Sequence, residues 1–113
     1  MMGLTPYGQI TIYTNGNGWT QITGPFISTF RWTHVIYTYS STNGQTLYIN
    51  GVQYARSGAM SFSSSGAIDW LMVGFDFNSC NPSPNGGGYY LGAIDEFYVY
   101  RRELTASDAQ TLA

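Results

Sequence analysis

Charge is scarce in this chain, and lysine is absent from it. Only 9% of the 113 residues are charged, and all four cations are arginines, whereas about 25% of an average domain is charged. Phosphate binding needs clustered arginine or lysine, so no nucleic-acid partner is predicted. No apolar run approaches the roughly 20 residues of a membrane-spanning helix, and no membrane span is predicted either. The opening MMGLTPYGQI also lacks the basic and apolar regions of a signal peptide.

Cysteine and histidine each occur once, as Cys80 and His34. A single cysteine neither indicates nor excludes an oxidising compartment. With one histidine, and no G-x-S-x-G turn to present a serine, a hydrolase triad is not predicted. His34 is instead expected to be a polar residue that orients backbone within a sheet.

Aromatic and turn-forming residues are abundant in this chain, in contrast to charged residues. Aromatics reach 17% of the chain, ten of them tyrosines, and glycine alone contributes 14 residues. Such a composition is too rich in strand-forming residues for disorder, and it is typical of an all-β fold with many short strands. A length of 113 residues predicts one domain with a modest core.

Turn signals at short intervals divide the sequence into strands. The pattern predicts strands at 9–13, 19–23, 33–39, 46–49, 52–55, 70–75 and 89–100. Pro25 is expected to break the chain, and residues 70–75 to be buried on both faces. Asn50 and Gly51 predict a type I′ hairpin turn. Near the end, Thr105 and Asp108 have the spacing of a helix N-cap and its capping-box partner.

Three motifs occur in order along the chain: W-x-H-V at 32–35, L-x-x-N-G-V at 47–52 and G-x-I-D-E at 92–96, the last followed by Leu104-Thr105. With them the chain resembles the laminin-G-like, concanavalin-A-like jelly roll. The resemblance covers roughly residues 7–113, and it implies one antiparallel jelly-roll β-sandwich over 1–113 with a short C-terminal helix. Trp32, His34, Asn50, Gly51, Asp95, Glu96, Thr105 and Asp108 are the residues that carry it.

Modules of that family have further strands before the point at which this chain begins. The resemblance therefore implies a module that lacks its first strands and belongs to a longer secreted polypeptide, whose signal peptide lies upstream. Cys80 then either has a disulfide partner in the missing part or is a solitary loop thiol. The implied location is extracellular.

Glycosidase activity is the natural enzyme hypothesis, since jelly-roll glucanases share this architecture. Those enzymes place their carboxylates along one strand as E-x-D-x-x-E, a spacing that this sequence lacks. Asp95 and Glu96 are adjacent, so in a regular strand they point to opposite faces and cannot flank one substrate. The chain is predicted not to be an enzyme. The two acids are expected instead at a β-bulge in the closing strand, where their carboxylates accept hydrogen bonds from unpaired backbone N–H groups.

Aromatic residues beside glycine-rich turns are candidates for stacking on sugars. Tyr13, Trp19, Phe77, Tyr89 and Tyr90 form the predicted ligand site, and packing on a pleated surface is the alternative for each. Trp32 and Trp70 lie within apolar runs and are predicted to be core residues.

Calcium is the cofactor that the family resemblance allows, because some modules bind it through loop Asp and Asn oxygens. Asp76 and Asn78, at the start of the 76–88 loop, are the candidate ligands. The loop lacks a dense D-x-D-x-D pattern, and an ordinary polar turn is the alternative.

The predicted function is a non-catalytic recognition or adhesion module for glycans or glycoproteins. Two alternatives stay open. One is a structural or protein-interaction module of a larger secreted protein. The other is an accessory domain of a hydrolase encoded upstream.

Overall fold

A computed structural model describes residues 2–16, 18–62, 66, 71, 73–76 and 88–113. The chain divides into two compact units, one made of Met1–Ser63 with Tyr100–Ala113 and the other of Ser64–Val99. The elements of the first unit are β1 (Met2–Leu4), β2 (Gln9–Gly16), β3 (Gly18–Phe26), β4 (Val35–Ser40), β5 (Gly44–Ile49), β6 (Val52–Arg56) and α1 (Ala106–Leu112). The second unit contains β7 (Phe75–Asp76) and β8 (Gly88–Tyr89), which pair with each other.

The first unit is a β-sandwich of two antiparallel sheets. Sheet A has the order β1-β2-β3 and sheet B the order β4-β5-β6. Both sheets consist of hairpins between neighbours in the sequence. The all-β fold with a short C-terminal helix, predicted from the sequence, is confirmed.

The core lies between the inner faces of the two sheets. Ile10, Ile12 and Ile22 of sheet A pack against Leu47 of sheet B, and Ile12 and Leu47 are completely buried. Burial of side chains of this size contributes roughly 1.5–3 kcal/mol each. Gly24 lies in the same interface, where an added Cβ would come within 2.7 Å of Leu47 Cδ2. Ile10 and Ile12 therefore form the inner face of β2, which contains the strand predicted over 9–13.

Helix α1 and the residues before it cover the outer face of sheet B. Leu104 and Ala109 form a second buried cluster with Ile36 and Tyr48. Thr38, on the same face, accepts a hydrogen bond at its Oγ1 from the Leu104 backbone N–H at 2.9 Å. The central strand β5 is thus covered on both faces, and the residues from Gly44 to Tyr48 are all buried.

The predicted hairpin turn and helix cap are both present. Asn50 and Gly51 have φ angles of +48° and +78°, as a type I′ turn requires. Thr105 and Asp108 form a complete capping box at the start of α1, in which each side chain accepts the other's backbone N–H.

Pro25 does not break the chain, contrary to the prediction; it lies inside β3. The register places Thr11 opposite Thr23 but Gln9 opposite Phe26, so β3 has one extra residue beside Pro25. This is a β-bulge, and a bulge is one of the few places in a sheet where a proline is tolerated.

Two tryptophan-containing segments were expected in the core. Trp32 is 72% exposed, so its prediction as a core residue is wrong. The reason is that β4 begins only at Val35, and the inward-outward alternation does not extend back to Trp32. Leu71 and Val73 are also exposed, and Gly74 has a φ of +77° that interrupts extended backbone immediately before β7. Trp70 lies outside the described residues.

The closing strand predicted over 89–100 is also wrong, because β8 ends at Tyr89 and residues 90–100 form no strand. Glu96 has a φ of +53°, a left-handed conformation that an extended strand cannot contain. Because there is no strand at Asp95 and Glu96, the β-bulge predicted there is wrong as well. One part of that hypothesis is confirmed, since Asp95 Oδ1 accepts the Glu96 backbone N–H at 2.9 Å.

Candidate functional site

The outer face of sheet A brings together two of the predicted ligand-binding residues. In β2 and β3 the cross-strand partners are Thr11 with Thr23, Tyr13 with Gln21 and Asn15 with Trp19. Residues directly opposite in a ladder project from the same face of the sheet. That face is opposite to the one on which Ile12 and Ile22 are buried, so Tyr13 and Trp19 share the outer face.

The bulge at Pro25 adds a third aromatic residue to this face. Strict alternation along β3 would place Phe26 on the inner face with Ile22. The extra residue instead places Phe26 opposite Gln9, on the outer face, and its side chain is 65% exposed. We call this surface the aromatic face, and its members are Tyr13, Trp19, Gln21, Thr23 and Phe26. Phe26 was not among the predicted ligand residues, because nothing in the sequence pattern indicates the position of the bulge.

Gln21 is the polar centre of the aromatic face. Its Nε2 donates to Thr11 Oγ1 at 3.1 Å and to Thr23 Oγ1 at 3.3 Å. The Thr11 hydroxyl donates its own proton to the Ile22 carbonyl at 3.4 Å, so its oxygen is left to accept. This network directs the amide nitrogen of Gln21 toward the sheet and leaves Oε1 as an outward-facing acceptor.

Charged groups are absent from the aromatic face. Residues 2–62 contain no aspartate or glutamate, and their two cations are Arg31 and Arg56. Arg31 lies in the loop after β3. Arg56 belongs to β6, where its Nε donates to the Asn43 carbonyl at 2.8 Å and its Nη2 to the Asn43 side chain. The aromatic face therefore offers flat apolar surface and neutral hydrogen-bonding groups only.

The remaining predicted ligand residues belong to the second unit. Tyr89 ends β8 and Tyr90 follows it, and both side chains are exposed. The Tyr90 backbone N–H donates to the Gly74 carbonyl at 2.8 Å, and its ring lies against Gly92, where an added Cβ would come within 2.7 Å of it. Phe77 lies outside the described residues.

Only one of the two predicted calcium ligands, Asp76, lies within the described residues. The backbone of Asp76 pairs with Gly88 in the β7–β8 hairpin, and Asn78 lies outside the described residues. In the described part of the chain, no three His, Cys, Asp or Glu side chains come together as a metal site would require. Calcium binding stays a prediction.

Two polar clusters at the C-terminal end have structural roles. Asn43 Nδ2 donates to both carboxylate oxygens of Glu103, at 2.8 and 3.0 Å, and so ties the β4–β5 turn to the segment before α1. Asp108 pairs with Arg102 at 2.7 Å. The hydrogen bond from Arg102, followed by those from Thr105, lowers the pKa of the Asp108 carboxyl far below its ordinary value. Both clusters hold chain segments together.

His34 was expected within a sheet, but it lies just before β4 and contributes its backbone to a contact with the β5–β6 turn. Its N–H and carbonyl both pair with Asn50. Its ring Nδ1 is buried and has no hydrogen-bond partner in the described structure. No helix among the described residues is long and apolar enough to cross a membrane.

Comparison with protein families gives a match over residues 1–110 to a laminin G-type model described as the concanavalin A-like lectin/glucanases superfamily. A human protein, "Adhesion G-protein coupled receptor D1", is 29% identical over 108 residues. That alignment covers 89% of this chain and 11% of the receptor, so the chain corresponds to a small part of it.

A solved structure is also similar. It is the crystal structure of an S-layer domain-containing protein (residues 221–444) from Clostridium thermocellum ATCC 27405, with a TM-score of 0.59 and 26% sequence identity. The similarity covers 93% of this chain and 51% of that one. The chain thus spans about half of its structural relative.

Proposed function

Because the chain belongs to the concanavalin A-like lectin/glucanases superfamily, we propose that it is a non-catalytic recognition module of a larger extracellular protein and binds glycans or glycoproteins through the aromatic face. The observation that supports this most directly is the combination of half-exposed Trp19 with the outward acceptor of Gln21 on one rigid sheet. Stacking on an aromatic ring and hydrogen bonding to a fixed amide are complementary to the apolar faces and hydroxyls of a sugar.

The similar proteins support an adhesive role at the cell surface. One is named as an adhesion receptor and the other as an S-layer domain-containing protein. In both, the part that this chain matches is a fraction of the whole. We therefore place the module outside the cell, as one part of a longer polypeptide.

The described carboxylates support a non-catalytic role. Asp95 accepts the Glu96 backbone N–H, and Glu96 Oε2 accepts the Tyr98 hydroxyl. Retaining glycoside hydrolysis needs two carboxyl groups about 5–5.5 Å apart across one cleft. The aromatic face carries no carboxylate at all, so a sugar bound there would be held without being hydrolysed.

A glycan array tests the proposal. Folded wild-type chain should bind a subset of glycans, and Trp19→Ala should weaken that binding at least tenfold through loss of the stacking surface. Tyr7→Ala is the matched control, since Tyr7 is 81% exposed but lies in the β1–β2 turn, at the opposite end of sheet A from Trp19. Arms with Ca²⁺ and with chelator test the predicted calcium dependence.

Two results would contradict the proposal. One is the absence of any bound glycan by wild-type chain that is shown to be folded by circular dichroism. The other is an equal loss of binding in the two variants. Either result would favour a module that recognises protein surfaces.

A further inference from the structure

The ligand class can be narrowed further, and this step rests on the proposed function. We infer that the aromatic face selects an uncharged sugar chain and that Gln21 determines this selectivity. In the bound state a sugar ring stacks on Trp19, and a neighbouring O–H or N–H of the sugar donates to Gln21 Oε1.

The amide of Gln21 has a fixed polarity. Both hydrogens of its amide are engaged by the hydroxyls of Thr11 and Thr23, and Oε1 accepts no hydrogen bond from any described residue. A free amide could rotate and offer either end to a ligand, whereas this one presents an acceptor only. It therefore pairs with ligand donors, which sugar hydroxyls and acetamido groups supply.

The absence of charge on the aromatic face disfavours acidic sugars. A carboxylate or sulfate group offers acceptors only, so its oxygens would be repelled by Gln21 Oε1. No cation on the aromatic face compensates for this, because the two arginines of residues 2–62 lie in the loop after β3 and in β6. An acidic sugar would lose hydration without gaining a partner, and the free energy of binding would be less favourable.

The spacing of Tyr13, Trp19 and Gln21 suits a single sugar ring. Tyr13 lies directly across the ladder from Gln21, where Cβ atoms are typically about 4.5–5.5 Å apart. Trp19 is two residues from Gln21 along β3, a separation of roughly 6.6 Å. A ring on Trp19 thus has its edge groups next to Gln21 and Tyr13, and Phe26 extends the surface for further sugar units.

The experiment compares neutral and acidic oligosaccharides of one length on the wild-type chain, with chitohexaose, cellohexaose and a hyaluronan hexasaccharide as probes. Isothermal titration at low ionic strength should show binding of a neutral probe at least tenfold tighter than that of hyaluronan. Gln21→Met keeps the length of the side chain without its amide, and it should weaken neutral-sugar binding about five- to tenfold. Gln53→Met is the control, an exposed glutamine on β6 of sheet B.

The possible outcomes separate this inference from the proposed function. If hyaluronan binds as tightly as the neutral probes, or more tightly, the selectivity is refuted while glycan binding stands. If neutral sugars bind but Gln21→Met and Gln53→Met behave alike, the role of Gln21 is refuted. If no glycan binds to folded protein, either among these probes or on the array, the proposed function itself fails.

Discussion

The main chain of His34 is held on both sides by one residue, Asn50. The His34 N–H donates to Asn50 Oδ1 at 3.0 Å, and the Asn50 N–H donates to the His34 carbonyl at 2.9 Å. Asn50 can do this because its left-handed conformation, with φ of +48°, places it at the tip of the β5–β6 hairpin beside the start of β4. The W-x-H-V and N-G-V motifs, which are separate in the sequence, thus contact each other through His34 and Asn50.

Replacing Asn50 by alanine should lower the free energy of unfolding by about 1–3 kcal/mol. The variant loses the acceptor for the His34 N–H and also places alanine in the left-handed backbone conformation, which alanine rarely adopts. Asn50→Asp is the control, because aspartate keeps the acceptor and tolerates the left-handed region. Urea unfolding measures both variants, and equal losses would show that the side-chain hydrogen bond to His34 contributes nothing.

Position 44 requires glycine because of both its backbone conformation and the atoms that surround it. It has a φ of +69°, and an added Cβ would lie 1.7 Å from the Gly58 carbonyl oxygen. Gly44→Ala should therefore be among the most destabilising substitutions in the chain, at about 3 kcal/mol or more. Gly8→Ala is the matched control, since Gly8 has a φ of +84° with open space around its Cβ position. It should cost only about 1 kcal/mol, and similar losses for the two would rule out the steric contact.

Phe30 is strained without any compensating burial. Its φ is +62° and its side chain is fully exposed, although a left-handed backbone costs an L-residue about 1–2 kcal/mol. Phe30→Asn should raise the free energy of unfolding by about 0.5–1 kcal/mol, because asparagine tolerates that conformation.

Trp32→Asn provides the comparison for Phe30. Trp32 is also exposed and lies in the same loop, but it is not among the residues with positive φ. Thermal unfolding should show no gain in Tm for this variant. An equal gain in both would mean that removal of an exposed aromatic side chain, rather than relief of strain, stabilises the protein.

The Asp108 carboxyl should contribute to the stability of the fold in a pH-dependent manner. Its pKa is lowered in the folded chain, chiefly by Arg102 and then by Thr105, whereas the unfolded value is about 3.9. The contribution is therefore fully present above about pH 4 and is lost as pH falls toward the folded pKa. In Asp108→Asn this component is absent, so stability should fall less steeply in acid.

Urea unfolding between about pH 7 and about pH 2.5 measures that slope. Arg102→Gln should flatten it in part, because the carboxyl stays while its first hydrogen-bond partner is removed. Ser107→Ala, in the same turn of α1, should leave it unchanged. A slope in Asp108→Asn identical to that of the wild type would contradict the assignment.

Features that depend on neighbouring residues could be predicted from the sequence. The apolar alternation in 9–13 indicated β2, Asn50-Gly51 indicated the hairpin turn, and Thr105 with Asp108 indicated the start of α1. Each of these depends on local backbone preference or on a period of two, so a short window of sequence contains the information. The three ordered motifs then sufficed for the family, which the match over residues 1–110 confirmed.

Contacts between residues on different strands are set by the tertiary structure. The bulge at Pro25 moved Phe26 to the outer face, and the late start of β4 left Trp32 exposed. Glu96 turned to the left-handed conformation where a strand was expected. The proposed site also depends on contacts between strands, because the role that we propose for Gln21 follows from its hydrogen bonds to Thr11 and Thr23. Strand register sets those contacts, and a shift of one residue would reverse every face, so local sequence alone cannot specify them.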